Sequence, residues 1–538
     1  MPVPAPPLEP TGEQSVFGSV PDGPAALAHV PAVPLDGLLR RTAAALPGRI
    51  AMRTPQQTVT FAELDALVDG GAAVLAGAAG RPGAVVGVVS ALTTSFAVAY
   101  YGTMRAGLVV ATVNPFLRED ALAHVLAGAA VSVVVAPPEV AARVERIRGR
   151  LPNPVTVLSP QDVARPGPPR GGPGPAPDDV ACIQFTSGTT GEPKAVQLTH
   201  RNLVVNAVQI AAVHELNSNS VALNHLPLFH PMHLNSAVWA GAAQVLVPEA
   251  DGAAAVEAAN RHRATHFYSL PVRLAHLAAD PRLPELRLQT VGAVFSGGSA
   301  LLPAPARTLA RHLGVPVVQG YGLAETSPLT HCQRPSRPVP GSVGRVVPGT
   351  ECRVVDIDTR APVEPGRPGE VQVRGPQVMR GYLGSADPPT DAEGWFSTGD
   401  VGHQDAAGNL FLTDRLKDVF KYENWVVSPT EIEQVLIQHP AVQDCAVVDH
   451  PDPYRGAVAH AFVVLATQTQ AQPVSDELAD ITGYVNRQLP YYQHVEYIDS
   501  VDGIPRSPNG KILRRALRER VSDLAHDSSL TPFHGGSQ

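Results

Sequence analysis

Along the first third of the chain, short Val-rich runs alternate with Ala-rich stretches whose apolar positions recur at helical spacing. The runs at 84–89, 109–112 and 131–136 have strand length and carry almost no polar residue. Strands of that kind are buried on both faces, so the alternation predicts parallel strands joined by crossover helices. A Pro/Gly tract at 165–179 reads as a surface linker. A second stretch of the same α/β kind runs from 181 to about 344. There the pattern changes. Short runs at 353–356, 370–374 and 410–413, separated by turn residues, predict a small β-rich subdomain. Beyond them, a helix at 429–438, strands at 446–448 and 461–465, and a helix at 475–488 predict a small α+β domain of about 120 residues. No internal repeat is apparent.

The predicted fold is therefore a large α/β N-terminal domain of parallel-sheet subdomains plus a small β-rich subdomain, followed by a small α+β C-terminal domain. The boundaries read as a partly irregular extension at 1–35, a large domain at 36–416 and a small domain at 417–538. The uncharged stretch 82–104 is the best candidate for a membrane span. It contains Ser, Thr, Gly and Tyr and splits into a strand and a small-residue helix, so it reads as buried core.

Composition narrows the classes. A chain of 538 residues exceeds one hydrophobic core. The net charge of -8 argues against a nucleic-acid partner or an anionic membrane surface. Cys182, Cys332, Cys352 and Cys445 lie far apart, with no metal-ligand or redox spacing. That usage, and a start without a basic segment and apolar run, predicts a cytoplasmic protein with no signal peptide. Lys and Arg total 41, yet only four are Lys: Lys194, Lys417, Lys421 and Lys511. An ammonium is a compact point charge that a guanidinium does not imitate. Each of the four falls in a Gly-, Pro- or charge-dense segment.

The first of these segments follows a short apolar strand, Ile183-Gln-Phe185. Thr186, Ser187, Gly188, Thr189, Thr190 and Gly191 offer hydroxyls and unhindered backbone N–H groups, and Lys194 closes the segment. Such a loop can wrap a polyphosphate while the lysine neutralises it. The Gly-Lys-Ser/Thr spacing of a Walker loop is missing, so the binding mode differs. A polar surface turn is the alternative reading.

The stretch from Thr186 to Lys194 resembles the phosphate loop of the adenylate-forming superfamily, which includes acyl- and aryl-CoA ligases, adenylation domains of peptide synthetases, and luciferases. The resemblance continues in order. Gln319-Gly-Tyr-Gly-Leu-Ala-Glu325 resembles the adenine-pocket strand, Ser397-Thr-Gly-Asp400 the ribose motif, Asp414-Arg-Leu-Lys417 the interdomain hinge, and 505–511 the loop of the catalytic lysine. It implies ATP, Mg²⁺ and coenzyme A as cofactors, a carboxylic acid as substrate, and a mobile small domain pivoting at Lys417. Lys511 then stabilises adenylate formation. Glu325 and Thr186 hold the metal on the phosphates. Gly320, Tyr321 and Gly322 take the adenine, Asp400 the ribose, and Arg415 and Lys421 the nucleotide. Each residue also has a plainer reading: Tyr321 as a core aromatic, Glu325 as a helix-start acid, Asp400 as a turn residue. Arg415 could equally pair with Asp414 or Asp418, and Lys511 could be a solvated loop lysine.

The segment Leu226-Pro-Leu-Phe-His230-Pro-Met-His-Leu-Asn-Ser236 resembles the acid pocket of aryl-CoA ligases such as coumarate ligases. The resemblance makes His230 the gating ring and Met232, His233 and Ser236 pocket residues, with Gly297, Gly298 and Gly322 as walls. Glycine walls leave a narrow slot for a flat ring or a chain. His233 either reads a polar ring substituent or faces away.

The chain departs from the family at Ala195, at Tyr422-Glu423-Asn424, at Val426 and at Gly456-Ala-Val-Ala-His460. Several of these lie on the face used in the second half-reaction. The acceptor is therefore open between CoA, a carrier protein's phosphopantetheine and an amine. ATP-dependent activation of nitrite for diazotisation of an aryl amine, known in natural-product pathways of this superfamily, and a non-catalytic nucleotide binder are further alternatives. A homodimer is compatible with the family.

Overall fold

The computed structural model describes Leu27 and residues 30–169, 174–186, 193–228, 230–423, 425–466, 474–506 and 512–526, with 522–526 as backbone alone. By compactness the chain divides into two units. One comprises Met1–Cys352 and Val373–Phe396, the other Arg353–Gln372 and Ser397–Gln538.

The first unit holds two largely parallel sheets. In the seven-stranded sheet the order is Gly381–Tyr382, Lys194–Thr199, Val180–Thr186, Val109–Val113, Val85–Val89, Val131–Val135, Thr156–Leu158. Its last five strands are mutually parallel, and Lys194–Thr199 runs antiparallel to both its neighbours. The nine-stranded sheet carries six adjacent parallel strands, from Val317–Gly322 through Ala293–Ser296, His266–Ser269, Val221–His225 and Ala243–Val247 to Ile50–Arg53. The Val-rich runs sit in the sheet interiors because a branched side chain packs well on a pleated surface covered on both faces. Stretch 82–104 becomes the strand Val85–Val89 and the helix Thr94–Arg105, whose residues are almost all buried in the protein. Among the described residues no helix is long and apolar enough to cross a membrane.

The helix Phe61–Ala79 shows how local chemistry sets the ends of elements. The Thr60 hydroxyl accepts from the Glu63 N–H and the Glu63 carboxylate accepts from the Thr60 N–H, and Gly80 ends the helix in the left-handed region. The fully buried Tyr101 donates to Asn235 Oδ1 at 2.9 Å. That bond ties the core helix Thr94–Arg105 to Pro231–Ala240, the helix that follows His230.

The second unit contains most of a four-stranded sheet, in the order Glu351–Val355, Gly369–Arg374, Phe396–Gln404, Leu410–Arg415. Its other sheet pairs Val442–Asp452 antiparallel and Val495–Ser500 parallel with Gly456–Leu465. Helices Pro429–Leu436 and Val474–Asn486 pack their buried Ile432, Leu436, Ile481 and Val485 on it. Val442–Asp452 and Gly456–Leu465 run longer than the predicted 446–448 and 461–465. Asp449, His450, Pro451 and His460 interrupt the apolar signal, while the continuous ladder between the two strands carries both through.

Candidate active site

Thr186 and Lys194 face each other as a pair across two antiparallel strands. Ser187, Gly188, Thr189, Thr190 and Gly191, between them, lie outside the described residues. The short strand Gly381–Tyr382 adds to this hairpin, with Tyr382 opposite Val196. Residues two apart on a strand share a face, so Lys194 and Tyr382 are diagonal neighbours. The Lys194 ammonium lies 5.0 Å from the centre of the Tyr382 ring. At the edge of that ring the Tyr382 hydroxyl donates to Glu325 Oε1 at 2.9 Å. Glu325 is buried in the 3₁₀ turn Ala324–Thr326, and its carbonyl accepts from the Met379 N–H at 2.8 Å. Burial, and then the adjacent Glu325 carboxylate, push the Tyr382 phenol up, so it stays a donor. Nothing in the motifs pointed to Tyr382, because its place depends on strand pairing and not on local spacing.

Gly322 precedes Glu325 at the end of strand Val317–Gly322. A Cβ there would stand 1.9 Å from the Pro328 carbonyl oxygen, so the fold itself demands glycine. Tyr321, between Gly320 and Gly322, is buried, and its ring centre lies 5.9 Å from that of His331.

The predicted acid-pocket segment forms a helix start. His230 is the N-cap of Pro231–Ala240, and its Nδ1 accepts from the Met232 N–H at 3.3 Å. Phe229 lies outside the described residues. Burial lowers the His230 imidazole to about 4. His233 is lowered to about 3, by burial and then by His230. Its ring lies 4.5 Å from that of Tyr268, and its buried Nδ1 has no hydrogen-bond partner among the described residues. Tyr268 in turn shares a 3.0 Å hydrogen bond with His214 Nδ1. Met232 packs against Ile210, Val213, Leu329, Cys332 and Val347. Ser236 is buried, and its hydroxyl donates to the His233 carbonyl at 3.4 Å. Gly297 and Gly298 follow strand Ala293–Ser296, with Gly298 at φ +88. His331, which sequence reasoning missed, is fully buried and lowered to about 3 by that burial. Its Nε2 has no hydrogen-bond partner among the described residues.

In the second unit, Asp400 and Arg415 are opposite residues of two antiparallel strands and form an ion pair at 2.7 Å. The Asp400 side chain is only 6% exposed. The register, not sequence proximity, picks the partner of Arg415. Neighbouring Asp414 instead accepts from Ser428 Oγ and from the Thr430 N–H, both at 3.0 Å. Lys421 pairs with Asp358 at 2.8 Å on an exposed surface. The Lys417 carbonyl accepts from Arg518 at 3.5 Å. Lys511 and Asn424 lie outside the described residues.

Among the described residues no three His, Cys, Asp or Glu side chains gather as a metal cage. A buried Glu325 that spends one oxygen on Tyr382 suits Mg²⁺, which binds through one or two carboxylates plus substrate phosphates.

The model of the AMP-binding enzyme family matches residues 39–383, and that of the AMP-binding enzyme C-terminal domain matches 431–511. The chain belongs to this family. Within it, the chain is an ATP-dependent acid–CoA ligase. The 4-coumarate–CoA ligase 5 of Oryza sativa subsp. japonica is 32% identical over 495 residues, covering 87% of this chain and 90% of the rice protein. Ligase 2 of the same plant is 37% identical over 364 residues, 64% of this chain and 63% of that protein. The crystal structure of an anthranilate CoA ligase in complex with anthranoyl-AMP superposes with a TM-score of 0.82 at 26% identity, covering 93% of this chain and 99% of that one.

Proposed function

We propose that the protein activates a flat aromatic or medium-sized carboxylic acid as its acyl-adenylate and passes the acyl group to the thiol of coenzyme A. The observation that carries this reading is the meeting of Lys194 and Glu325 at Tyr382, one over its ring and the other at its hydroxyl. A cation for phosphate oxygens and a carboxylate for a metal thus share one small region of the first unit.

In the first half-reaction a carboxylate oxygen of the acid attacks the α-phosphorus of ATP, and the bond to the β-phosphate oxygen breaks as pyrophosphate leaves. Thr186, the loop to Gly191, and Lys194 hold the phosphates. Glu325 and Thr186 would hold Mg²⁺, which when bound would neutralise charge on the departing pyrophosphate. Lys511 would stabilise the carboxylate and α-phosphate oxygens, where negative charge concentrates in the transition state. Asp400 accepts from the ribose hydroxyls, Arg415 and Lys421 serve the nucleotide, and Gly320, Tyr321 and Gly322 receive the adenine. In the second half-reaction the CoA sulfur attacks the acyl carbon, AMP leaves with the bonding electrons, and the thiol proton passes to solvent.

Similarity to coumarate and anthranilate ligases supports an aromatic acid. So does the chemistry around His230, Met232, His233, Ser236, Gly297 and Gly298. Burial keeps both imidazoles neutral at physiological pH, which suits an uncharged ring. The test is pyrophosphate release across a panel of acids, with and without CoA, with products identified by mass. Acid-dependent pyrophosphate and a thioester are expected. Release that requires a carrier protein or an amine moves the acceptor. Release only with nitrite and an aryl amine overturns the reading.

A further inference from the structure

We infer that Tyr382 is a positioning residue that stands between Lys194 and Glu325 and leaves each free for the phosphates and the metal; the inference rests on the activity proposed above. An ammonium and a carboxylate this close to one residue would ordinarily bind each other, and that contact would spend the charge both need. Here the phenol separates them. Its ring face receives the Lys194 ammonium, an attraction that leaves the three N–H donors available. Its hydroxyl donates to one oxygen of Glu325. That bond offsets part of the cost of burying the carboxylate and orients it. Among the described residues Glu325 Oε2 takes no hydrogen bond and Lys194 makes no ion pair.

The backbone holds the ring in this place. Gly381 and Tyr382 pair with Gln197 and Val196. The Arg380 N–H donates to the Gln197 carbonyl at 3.0 Å, and the Leu383 N–H to that of Ala195 at 2.8 Å. Both bonds fall on the strand that begins at Lys194. The other anchor, from the Met379 N–H to the Glu325 carbonyl, fixes the turn that carries the acid. One short segment, 379–383, thus holds the register of both functional groups at once.

The test separates the two ends of the side chain. Tyr382→Phe keeps the ring and removes the donor; Tyr382→Leu removes both. ATP binding is measured by calorimetry at stepped Mg²⁺ concentrations, alongside adenylate formation. The loss of one charge-assisted hydrogen bond should raise the Mg²⁺ concentration for half-maximal ATP binding about fivefold or more in Tyr382→Phe, with ATP affinity at saturating Mg²⁺ changed less than about twofold. Tyr382→Leu should add a loss of about fivefold in ATP affinity that saturating Mg²⁺ does not restore. Glu325→Gln is the control. If it shifts the Mg²⁺ dependence and Tyr382→Phe does not, the role of Tyr382 is wrong while the reading of Glu325 stands. If Glu325→Gln shifts nothing, the reading of Glu325 fails first. Equal losses in ATP and acid binding, with a lowered melting temperature, would mean that Tyr382 only supports the fold.

Discussion

The candidate site groups of the two units handle charge in opposite ways. In the first, Lys194 and Glu325 approach a common residue yet stay separate, and the half-buried histidines of the acid-pocket segment are neutral. In the second, the candidate nucleotide residues are already paired, Asp400 with Arg415 and Lys421 with Asp358. A group kept apart binds its ligand without first giving up a partner. A paired group must exchange one partner for another. For Lys421 that exchange costs little, because exposed pairs contribute at most about 1 kcal/mol. Asp400 differs, because it is nearly buried and its partner is held opposite by the strand register. Its pair can survive binding, since a carboxylate accepts several hydrogen bonds at once.

The strongest way to test this contrast is Lys511→Ala. If the cation of the second unit acts only in the first half-reaction, adenylate formation should fall about a thousandfold or more, while thioester formation from supplied acyl-adenylate largely survives. Equal loss of both steps in a folded protein would count against it. Lys417→Pro comes next. Among the described residues the Lys417 N–H donates no hydrogen bond, so proline removes none and mainly fixes φ. Adenylation should persist while thioester formation falls about a hundredfold, with adenylate accumulating on the enzyme and detected by mass after quenching. Normal thioester turnover would place the pivot elsewhere. Asp400→Ala should raise the KM for ATP about tenfold and lower kcat less, because a ribose contact is made in ground and transition states alike. An unchanged KM for ATP would remove Asp400 from the ribose site.

What the sequence revealed follows from where each signal resides. The Val-rich strands were legible to within a residue at either end, because burial on both faces writes itself into a contiguous run. Lys194, Glu325, Asp400 and Arg415 stood out as candidates because each belongs to a short motif. Their partners were not. Tyr382 reaches Glu325 through the pairing of a two-residue strand too short for any periodicity. Arg415 meets Asp400 through an antiparallel register, where the sequence offered Asp414 and Asp418 as neighbours. Tyr268 meets His233, and His331 meets Tyr321, from strands whose order in the sheet no local pattern encodes. Local chemistry selects the groups, and strand pairing decides what they touch.

The smallest expected effect tests whether a neutral buried histidine makes the first unit sensitive to acid. His200 is buried at the start of helix His200–Val213, and its Nδ1 accepts from the Leu35 N–H at 3.1 Å. Burial lowers its imidazole to about 4, against a weaker opposing pull from Asp179. The sign follows from proton counts. Between about pH 6.5 and pH 4 the unfolded chain binds a proton at this position and the folded chain does not, so stability falls as pH falls through that window. Above about pH 7 this residue contributes no pH dependence. A helix start disfavours the cation further. In His200→Asn the amide oxygen can still accept from Leu35 but cannot titrate. The variant should melt below the parent at pH 7.5, because it packs a smaller side chain. Between pH 7.5 and pH 5 the parent should lose about two degrees more than the variant, read by calorimetry. A gap that stays constant over this range would show that His200 carries its proton in the folded protein and that burial does not keep it neutral.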